Sequence, residues 1–436
     1  MGAGVQVISR EIIKPSSETP HHLRKLKLSY LDQLLPSFYV PLLFFYQADE
    51  LRGRTTSNPV QISQKLKQSL SNTLTSFYPL AGRIEDHFVV DCCDAGVEFV
   101  EARLNAELMD AIQEPDMEDM KQYLPLDPTT EDVTALVLVQ ITFFDSGGFA
   151  VGLCFSHKIA DFTSIMAFIN AWAATCRGEA EFSRFSFDLA RYFPSRDSRV
   201  SDFWRFLQSE EKQAMKRFMF DKEKLAALKQ EATSSSLKNP TRVEVVSAFI
   251  WKHFMEVAKS KNPKAEKTFA AFHAVNLRAR KIPPQLLENV SGNCFMVPFA
   301  ISKTTERRVV EKFHHLASKL RSAIRNINEE YIEKSQTGNS YLNDLFSLSP
   351  LVSKGELEWC VFSSWCGFPV DKVDYGWGRP IRVCTSGWPL KNFTVLMNSR
   401  CGDGIEAWVS TNKDNIEMLE TQINLLSDTA ALDIDS

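Results

Sequence analysis

The stretch ALVLVQITFFDSGGFAVGLCFSHKIADFTSIMAFINAWAATCRG, residues 135–178, predicts the local fold from which the rest of the chain can be interpreted. Two largely apolar runs are joined by Asp-Ser-Gly-Gly at 145–148, a pattern typical of two strands and a turn. After Asp161, apolar residues recur at helical spacing and stop before Gly178, which predicts a helix with Asp161 as its N-cap. His157 therefore stands where a buried strand ends, at the edge where α/β sheets bind ligands.

The four-residue spacing of His157 and Asp161 does not by itself identify a site. With 8 His and 24 Asp in 436 residues, about 0.4 such matches arise by chance. A second copy joins His87 to Asp91, but His87 follows the charged stretch RIED, so we interpret it as a solvated turn residue. From position alone, His157 is equally compatible with a functional base and with a buried structural histidine.

Length and composition restrict the class of protein. A chain of 436 residues exceeds what one hydrophobic core usually organises, so two domains are expected. The formal charge of −4 argues against nucleic-acid binding. Apolar residues at helical spacing in 59–77 predict one helix, and the capping-box pair of Thr241 and Glu244 predicts the start of another. Strand-like segments alternate with these helices. The predicted class is therefore α/β with mixed β-sheets.

The cysteines and the apolar runs predict the compartment. The nine cysteines are odd in number and never form Cys-x-x-Cys, which indicates neither a disulfide framework nor a zinc site. The longest apolar stretch, 38–46, is too short to span a bilayer, and no targeting signal is recognised. We expect a cytoplasmic monomer without a bound metal, a membrane or a nucleic-acid partner.

His157 can act as a base in a reaction at a carbonyl group, because an imidazole can accept a proton from the hydroxyl or amine that attacks the carbonyl. Neither Gly-x-Ser-x-Gly nor His-Glu-x-x-His occurs in the chain, and YGWG at 375–378 lacks the third glycine of a dinucleotide loop. A cysteine or serine hydrolase is an alternative, and Cys154 is the candidate nucleophile near His157. Cys154 sits in an apolar strand without an activating charge, so a structural thiol is the preferred interpretation.

Periodicity is lost in the region that follows the helix predicted after Asp161. Residues 181–215 are rich in Arg, Ser and Asp and are interpreted as a crossover linker. This predicts an N-terminal domain over 1–180, which carries the His-x-x-x-Asp motif, and a C-terminal domain over 216–436.

Several separate segments, taken together and in this order, resemble the plant BAHD acyl-CoA-dependent acyltransferases. They are YPLAGR (78–83), CCDAGVEFVEA (92–102), HKIAD (157–161), NLRAR (276–280), DYGWGRP (374–380) and DGIEAWVS (403–410). IIKPSSETP (12–20) and FDKEKLAALK (220–229) are similar to the alkaloid acetyltransferase group of that family.

The resemblance implies two domains of chloramphenicol-acetyltransferase-like topology, joined by a long crossover loop, with a solvent channel between them and a segment exchange near 370–400. It implies acyl-CoA, most readily acetyl-CoA, as cosubstrate, with no permanently bound cofactor. It also implies that Asp161 is structural and pairs with Arg278. The family's glycine motif has an architectural role and is matched here by Asp374, Gly376, Trp377 and Gly378.

Two further residues match family positions beside the reacting carbonyl. Ser363 and Trp365 carry a hydroxyl and an indole N–H, both of which could stabilise an oxyanion, although Trp365 could instead be a core aromatic. The chain departs from the family where Tyr375 replaces the usual Phe, where Val-Asp-Lys occupies 370–372, and where Phe162 follows Asp161 in place of Gly.

The resemblance therefore predicts an acyl-CoA-dependent O-acyltransferase. His157 takes a proton from the hydroxyl of a specialised plant metabolite, an alkaloid or a terpenoid, while acetyl is transferred directly. Three alternatives stay open: another acyl donor (malonyl, benzoyl or hydroxycinnamoyl), an amine acceptor, or a non-catalytic binding protein of the same fold.

Overall fold

The computed structural model describes residues 4–47, 58–113, 117–128, 130, 133–145, 147–179, 185–196, 207, 213–262, 266–278, 280, 289–304 and 311–432. By its internal contacts the chain divides into two compact units. The first comprises residues 1–202, 286–294 and 368–389, and the second comprises residues 203–285, 295–367 and 390–436.

Strands and helices are numbered in chain order over both units. The strands of the first unit are β1 (Gln6–Ile13), β2 (Lys25–Lys27), β3 (Tyr39–Tyr46), β4 (Arg83–Ile84), β5 (Val89–Asp91), β6 (Val97–Leu104), β7 (Val137–Phe144), β8 (Phe149–Ser156) and β15 (Arg382–Cys384). Its helices are α1 (Tyr30–Gln33), α2 (Pro59–Ser76), α3 (Leu108–Gln113), α4 (Met117–Met120), α5 (Phe162–Arg177) and α6 (Leu189–Tyr192).

The hairpin predicted from the sequence forms the middle of the main sheet in this unit. β7 and β8 pair antiparallel and are buried along their whole length. The strand order is β1-β6-β7-β8-β3-β15, with β6 and β7 parallel and the other neighbours antiparallel. A smaller sheet has the order β2-β5-β4. The mixed pairing confirms the predicted sheet type.

Helix α5 begins and ends where the sequence predicts. Asp161 is its N-cap, and Gly178 closes it in the left-handed conformation, with φ 83°. Trp172 on α5 donates from its indole N–H to the Leu66 carbonyl (3.1 Å) and to Ser69 Oγ (3.0 Å). Leu66 and Ser69 belong to α2, so the predicted helix in 59–77 is confirmed and is fixed to α5 by a buried indole.

The second unit has the strands β9 (Ala214–Phe220), β10 (Lys267–His273), β11 (Val275–Asn276), β12 (Phe295–Met296), β13 (Phe299–Thr304), β14 (Leu357–Ser364), β16 (Phe393–Asn398) and β17 (Ile405–Thr411). Its helices are α7 (Lys222–Ala232), α8 (Arg242–Lys261), α9 (Phe313–Asn326), α10 (Glu329–Thr337), α11 (Ser340–Phe346), α12 (Ser349–Ser353) and α13 (Lys413–Leu432).

The main sheet of the second unit is also mixed. Its order is β13-β10-β14-β16-β17-β9, in which β14 runs parallel to both β10 and β16. β16 and β17 form an antiparallel hairpin. Helix α8 begins with the predicted capping box, since Thr241 Oγ1 accepts from the Glu244 amide (3.1 Å) and Glu244 Oε2 accepts from the Thr241 amide (2.7 Å). The α/β class with two mixed-sheet domains is therefore confirmed.

The predicted domain limits at 180 and 215 stay predictions. Much of the linker expected at 181–215 lies outside the described residues, and β9 already begins at Ala214. The units are not linear along the chain: 286–294 and 368–389 both belong to the first. The assignment of 286–294 to the first unit was not predicted, because it depends on long-range contacts such as those of Asn293.

Candidate active site

The turn between β8 and α5 holds His157. The His157 amide donates to the Phe38 carbonyl (2.8 Å), and the Ser156 amide donates to the Leu136 carbonyl (2.8 Å). The imidazole is half-buried and meets the Phe38 ring edge to face, with centroids 5.1 Å apart. The backbone and one ring therefore fix where the histidine stands after a fully buried strand.

Asp161 is buried and accepts hydrogen bonds from groups at the start of α5. Its Oδ1 accepts from the Ser164 amide (2.9 Å) and from Ser164 Oγ (2.8 Å), and its Oδ2 accepts from the Cys294 amide (3.1 Å). The predicted N-cap is confirmed. Arg278 lies half-buried in the second unit, where its amide donates to Asn276 Oδ1 (3.0 Å), and its pairing with Asp161 stays a prediction.

Asn293 contacts the imidazole directly. Its Oδ1 lies 3.1 Å from His157 Nδ1, while its Nδ2 donates to the His157 carbonyl (2.9 Å) and to Asp32 Oδ1 (2.9 Å). The His157 carbonyl and the Asp32 carboxylate can only accept, so together they give the Asn293 amide one orientation, in which its oxygen faces Nδ1. Nδ1 therefore carries the proton, and the lone pair of neutral His157 is on Nε2.

Burial lowers the pKa of His157, while the bond to Asn293 and the charge of Asp161 raise it by less. The imidazole is consequently neutral near pH 7, with Nε2 able to accept a proton. This is the state that a general base needs before reaction.

Ser363 and Trp365 lie together in the second unit, at the end of β14. Trp365 is buried, and its indole N–H donates to Ser363 Oγ (3.2 Å). Its amide donates to the Leu396 carbonyl of β16 (2.7 Å), which holds the segment to the sheet. The indole therefore orients the Ser363 hydroxyl, whose own hydrogen is available to another acceptor.

The glycine motif lies in the first unit and is organised by Asp374. Its Oδ1 accepts from the amides of Gly376 (2.7 Å) and Gly378 (2.9 Å), whose φ angles of 108° and 98° favour glycine. Trp377 meets Phe149 of β8 edge to face at 5.7 Å. The carboxylate thus closes a turn that packs on the central hairpin.

Two other residues considered from the sequence differ from His157 in their surroundings. His87 is exposed in the bend between β4 and β5. Cys154 is fully buried, and burial raises the pKa of its thiol, which keeps it protonated. Among the residues that the structure describes, no group of three or more His, Cys, Asp or Glu is arranged to hold a metal ion.

Sequence reasoning missed Asn293 and Asp32. Asn293 stands 136 positions from His157 in the sequence, and no local pattern joins them. The only sign in that region was the Asn-Val-Ser sequon at 289–291, which does not concern catalysis.

In the described part of the chain no helix is both long and apolar enough to cross a membrane.

Known proteins share the sequence and the fold of this chain. The family model described as the Transferase family matches residues 3–426. The chain is 39% identical to stemmadenine O-acetyltransferase of Catharanthus roseus over 98% of this chain and 99% of the relative. It is 41% identical to vinorine synthase of Rauvolfia serpentina over 98% of this chain and 99% of the relative.

A limonoid 21-O-acetyltransferase of Melia azedarach is 34% identical, with 98% of each chain covered. The crystal structure of vinorine synthase superposes with a TM-score of 0.82 at 39% identity, over 97% of this chain and 98% of that one. A family match of this extent, with full-length relatives above 30% identity, is decisive. The chain belongs to this transferase family, the BAHD acyltransferases, and is an enzyme that transfers an acyl group from acyl-CoA to an alcohol.

Proposed function

We propose that this protein transfers acetyl from acetyl-CoA to a hydroxyl of an alkaloid or terpenoid, with His157 as the general base. The observation that carries the proposal is the fixed amide of Asn293, which leaves Nε2 of a neutral His157 as the proton acceptor. Nε2 takes the hydroxyl proton while the oxygen attacks the thioester carbonyl. The protonated imidazole then gives that proton to the departing CoA thiolate, so no acyl-enzyme forms.

Ser363 is proposed to stabilise the oxyanion that develops on the thioester carbonyl. Its hydroxyl is a donor, and the Trp365 indole holds its oxygen in place. Trp365 was predicted to donate to the oxyanion itself. The bond of its indole to Ser363 Oγ supports instead an indirect role through Ser363.

A structural role is proposed for the remaining motif residues, which are Asp161, Arg278, Asp374, Gly376, Trp377 and Gly378. The contacts of Asp161 with the start of α5, and those of Asp374 with two glycine amides, support that role. Residues with such duties hold the site without touching the reacting atoms.

The names of the relatives support acetyl as the acyl group and a specialised metabolite as acceptor. The relatives compared include O-acetyltransferases for stemmadenine and for limonoids. Malonyl, benzoyl or hydroxycinnamoyl donors, amine acceptors and a non-catalytic binding role are therefore not favoured. The nine free thiols support a reducing compartment, and we propose the cytoplasm. A monomeric state stays a prediction.

The test is an assay of free CoA release by the purified protein, with products identified by mass spectrometry. Acetyl-, malonyl-, benzoyl- and p-coumaroyl-CoA are combined with stemmadenine, with a limonoid alcohol and with an amine of similar size. We expect turnover of acetyl-CoA with at least one of the two alcohols.

His157→Ala should lower the rate by about 10²–10⁴, the usual loss of a general base. His87→Ala is the matched control, because His87 is exposed in a bend, and it should retain the full rate. A His157→Ala enzyme with the unchanged rate would refute the proposed mechanism. Preference for another acyl-CoA would refute the proposed donor.

A further inference from the structure

Asp32 is a buried carboxylate in the short helix α1, and only 4% of its surface is exposed. Its Oδ1 accepts from the Asn293 amide (2.8 Å) and from Asn293 Nδ2 (2.9 Å). Its Oδ2 accepts from the Ser29 amide (2.9 Å) and from Ser29 Oγ (2.5 Å). Four donors thus meet two oxygens. These bonds lower the pKa of Asp32 and offset part of the cost of burying its carboxylate, while burial, the larger effect, raises that pKa.

The segment that carries Asp32 is also attached to the turn of His157. The ammonium of Lys158 donates to the carbonyls of Gln33 (3.1 Å) and Leu35 (2.9 Å), just after Asp32. Burial lowers the pKa of Lys158 to about 8, and the charge of Asp32 opposes that fall. The end of α1 therefore contacts the residue next to the histidine, which attaches the segment of Asp32 to the turn of His157.

We propose that Asp32 is a positioning residue for His157 and acts through Asn293 to select the imidazole tautomer. This inference rests on the proposed function of His157. Asp32 Oδ1 accepts from both the main-chain and the side-chain N–H of Asn293, so it holds the amide with its oxygen toward Nδ1. A reversed amide would point NH₂ at Nδ1 and place the imidazole proton on Nε2, which could then accept nothing from the substrate.

The carboxylate, and not merely a polar side chain of this shape, is needed. The Ser29 and Asn293 amides are donors only, and they approach different oxygens of Asp32. In Asp32→Asn one of these positions carries NH₂, which would face an N–H group. The variant must therefore lose a bond either to Ser29 or to Asn293.

The test compares Asp32→Asn with wild type in the acetyl-CoA assay, using the alcohol that the donor and acceptor panel identifies. We expect kcat to fall about 10- to 100-fold, as for other residues that orient a functional histidine. The KM values of both substrates should stay within about twofold, because Asp32 touches neither the acyl donor nor the acceptor in this proposal.

Asp94→Asn is the matched control. Asp94 lies in the same unit and accepts from the Thr19 amide (2.9 Å) and from Thr19 Oγ1 (2.6 Å). The chemical change is the same, but no described contact joins Asp94 to His157. Its kcat should equal that of wild type even if the melting temperature falls, so a kcat loss in both variants overturns a specific role for Asp32.

The tautomer gives a readout that a purely structural role would not move. Long-range ¹H–¹⁵N spectra of protein labelled with ¹⁵N-histidine, assigned with His157→Ala, report which ring nitrogen is protonated. Wild type should show His157 protonated on Nδ1, and Asp32→Asn should show a signal of the Nε2–H tautomer. A folded Asp32→Asn that shows only Nδ1–H overturns the proposal. An Nε2–H wild type overturns the proposal, and this measurement is decisive even if Asp32→Asn does not fold.

The outcomes separate this proposal from the proposed function. An inactive His157→Ala with a fully active Asp32→Asn overturns the role of Asp32 and leaves the general base intact. An active His157→Ala overturns the general base itself.

Discussion

Tyr375 offers a substitution whose effect on stability can be worked out from its contacts. The residue is fully buried, and its ring packs edge to face against Trp172 (4.9 Å) and Tyr46 (5.9 Å). Its hydroxyl has no hydrogen-bond partner among the described residues. Burial raises the pKa of this phenol well above its ordinary value, as expected for a group removed from water.

Tyr375→Phe removes the hydroxyl and keeps both ring contacts. A buried polar group without a partner costs about 1–3 kcal/mol of folding free energy. Losing the oxygen also removes some van der Waals contacts, so the net gain should be near the lower end, about 1–2 kcal/mol. At about 2–4 °C per kcal/mol for a domain of this size, the melting temperature should rise by a few degrees.

Tyr46→Phe is the matched control in the same aromatic cluster. Tyr46 is equally buried, but its hydroxyl donates to the Val373 carbonyl (3.1 Å). Removing it leaves a buried acceptor unpaired and should destabilise the protein by about 1–3 kcal/mol. Equilibrium unfolding in urea and thermal melts measure both variants. If Tyr375→Phe lowers stability as Tyr46→Phe does, the hydroxyl of Tyr375 has a partner and the reasoning is wrong.

Three further outcomes are expected. The acid limb of kcat/KM should lie below pH 6.5, because burial lowers the pKa of His157 and a base acts when neutral; a limb at or above pH 6.5 contradicts this. Ser363→Ala should lower kcat by about 10²–10³, and Trp365→Phe should lower it by less, because the indole acts through Ser363 Oγ. Steady-state kinetics in which Trp365→Phe loses more kcat would contradict the role given to Ser363. Gly376→Ala should lower the free energy of unfolding in urea by about 1–2 kcal/mol, because φ at this position is 108°. Gly367→Ala should leave it unchanged, because Gly367 has open space and no such φ, and equal effects of the two changes would contradict the backbone explanation.

The local elements around the site were predictable because their signals lie within a few residues of one another. The turn after β7, the Asp161 cap and the Gly178 stop depend on hydrogen bonds and backbone angles inside one or two turns of chain. The capping box of Thr241 and Glu244 is equally local. The same holds for His157 as a candidate base, since an imidazole after an apolar strand is visible without any tertiary contact.

The sequence by itself determined the two mixed α/β domains, the start and end of α5, and the family to which the chain belongs. Tertiary structure alone decided that Asn293 and Asp32, which are 261 positions apart, meet beside His157. It also decided that the Trp365 indole donates to Ser363 Oγ, and that the Tyr375 hydroxyl has no hydrogen-bond partner in the part of the chain that the structure describes. The physical reason is that caps and periodicity are satisfied by near neighbours, whereas the partner of a buried polar group is selected only when distant segments pack.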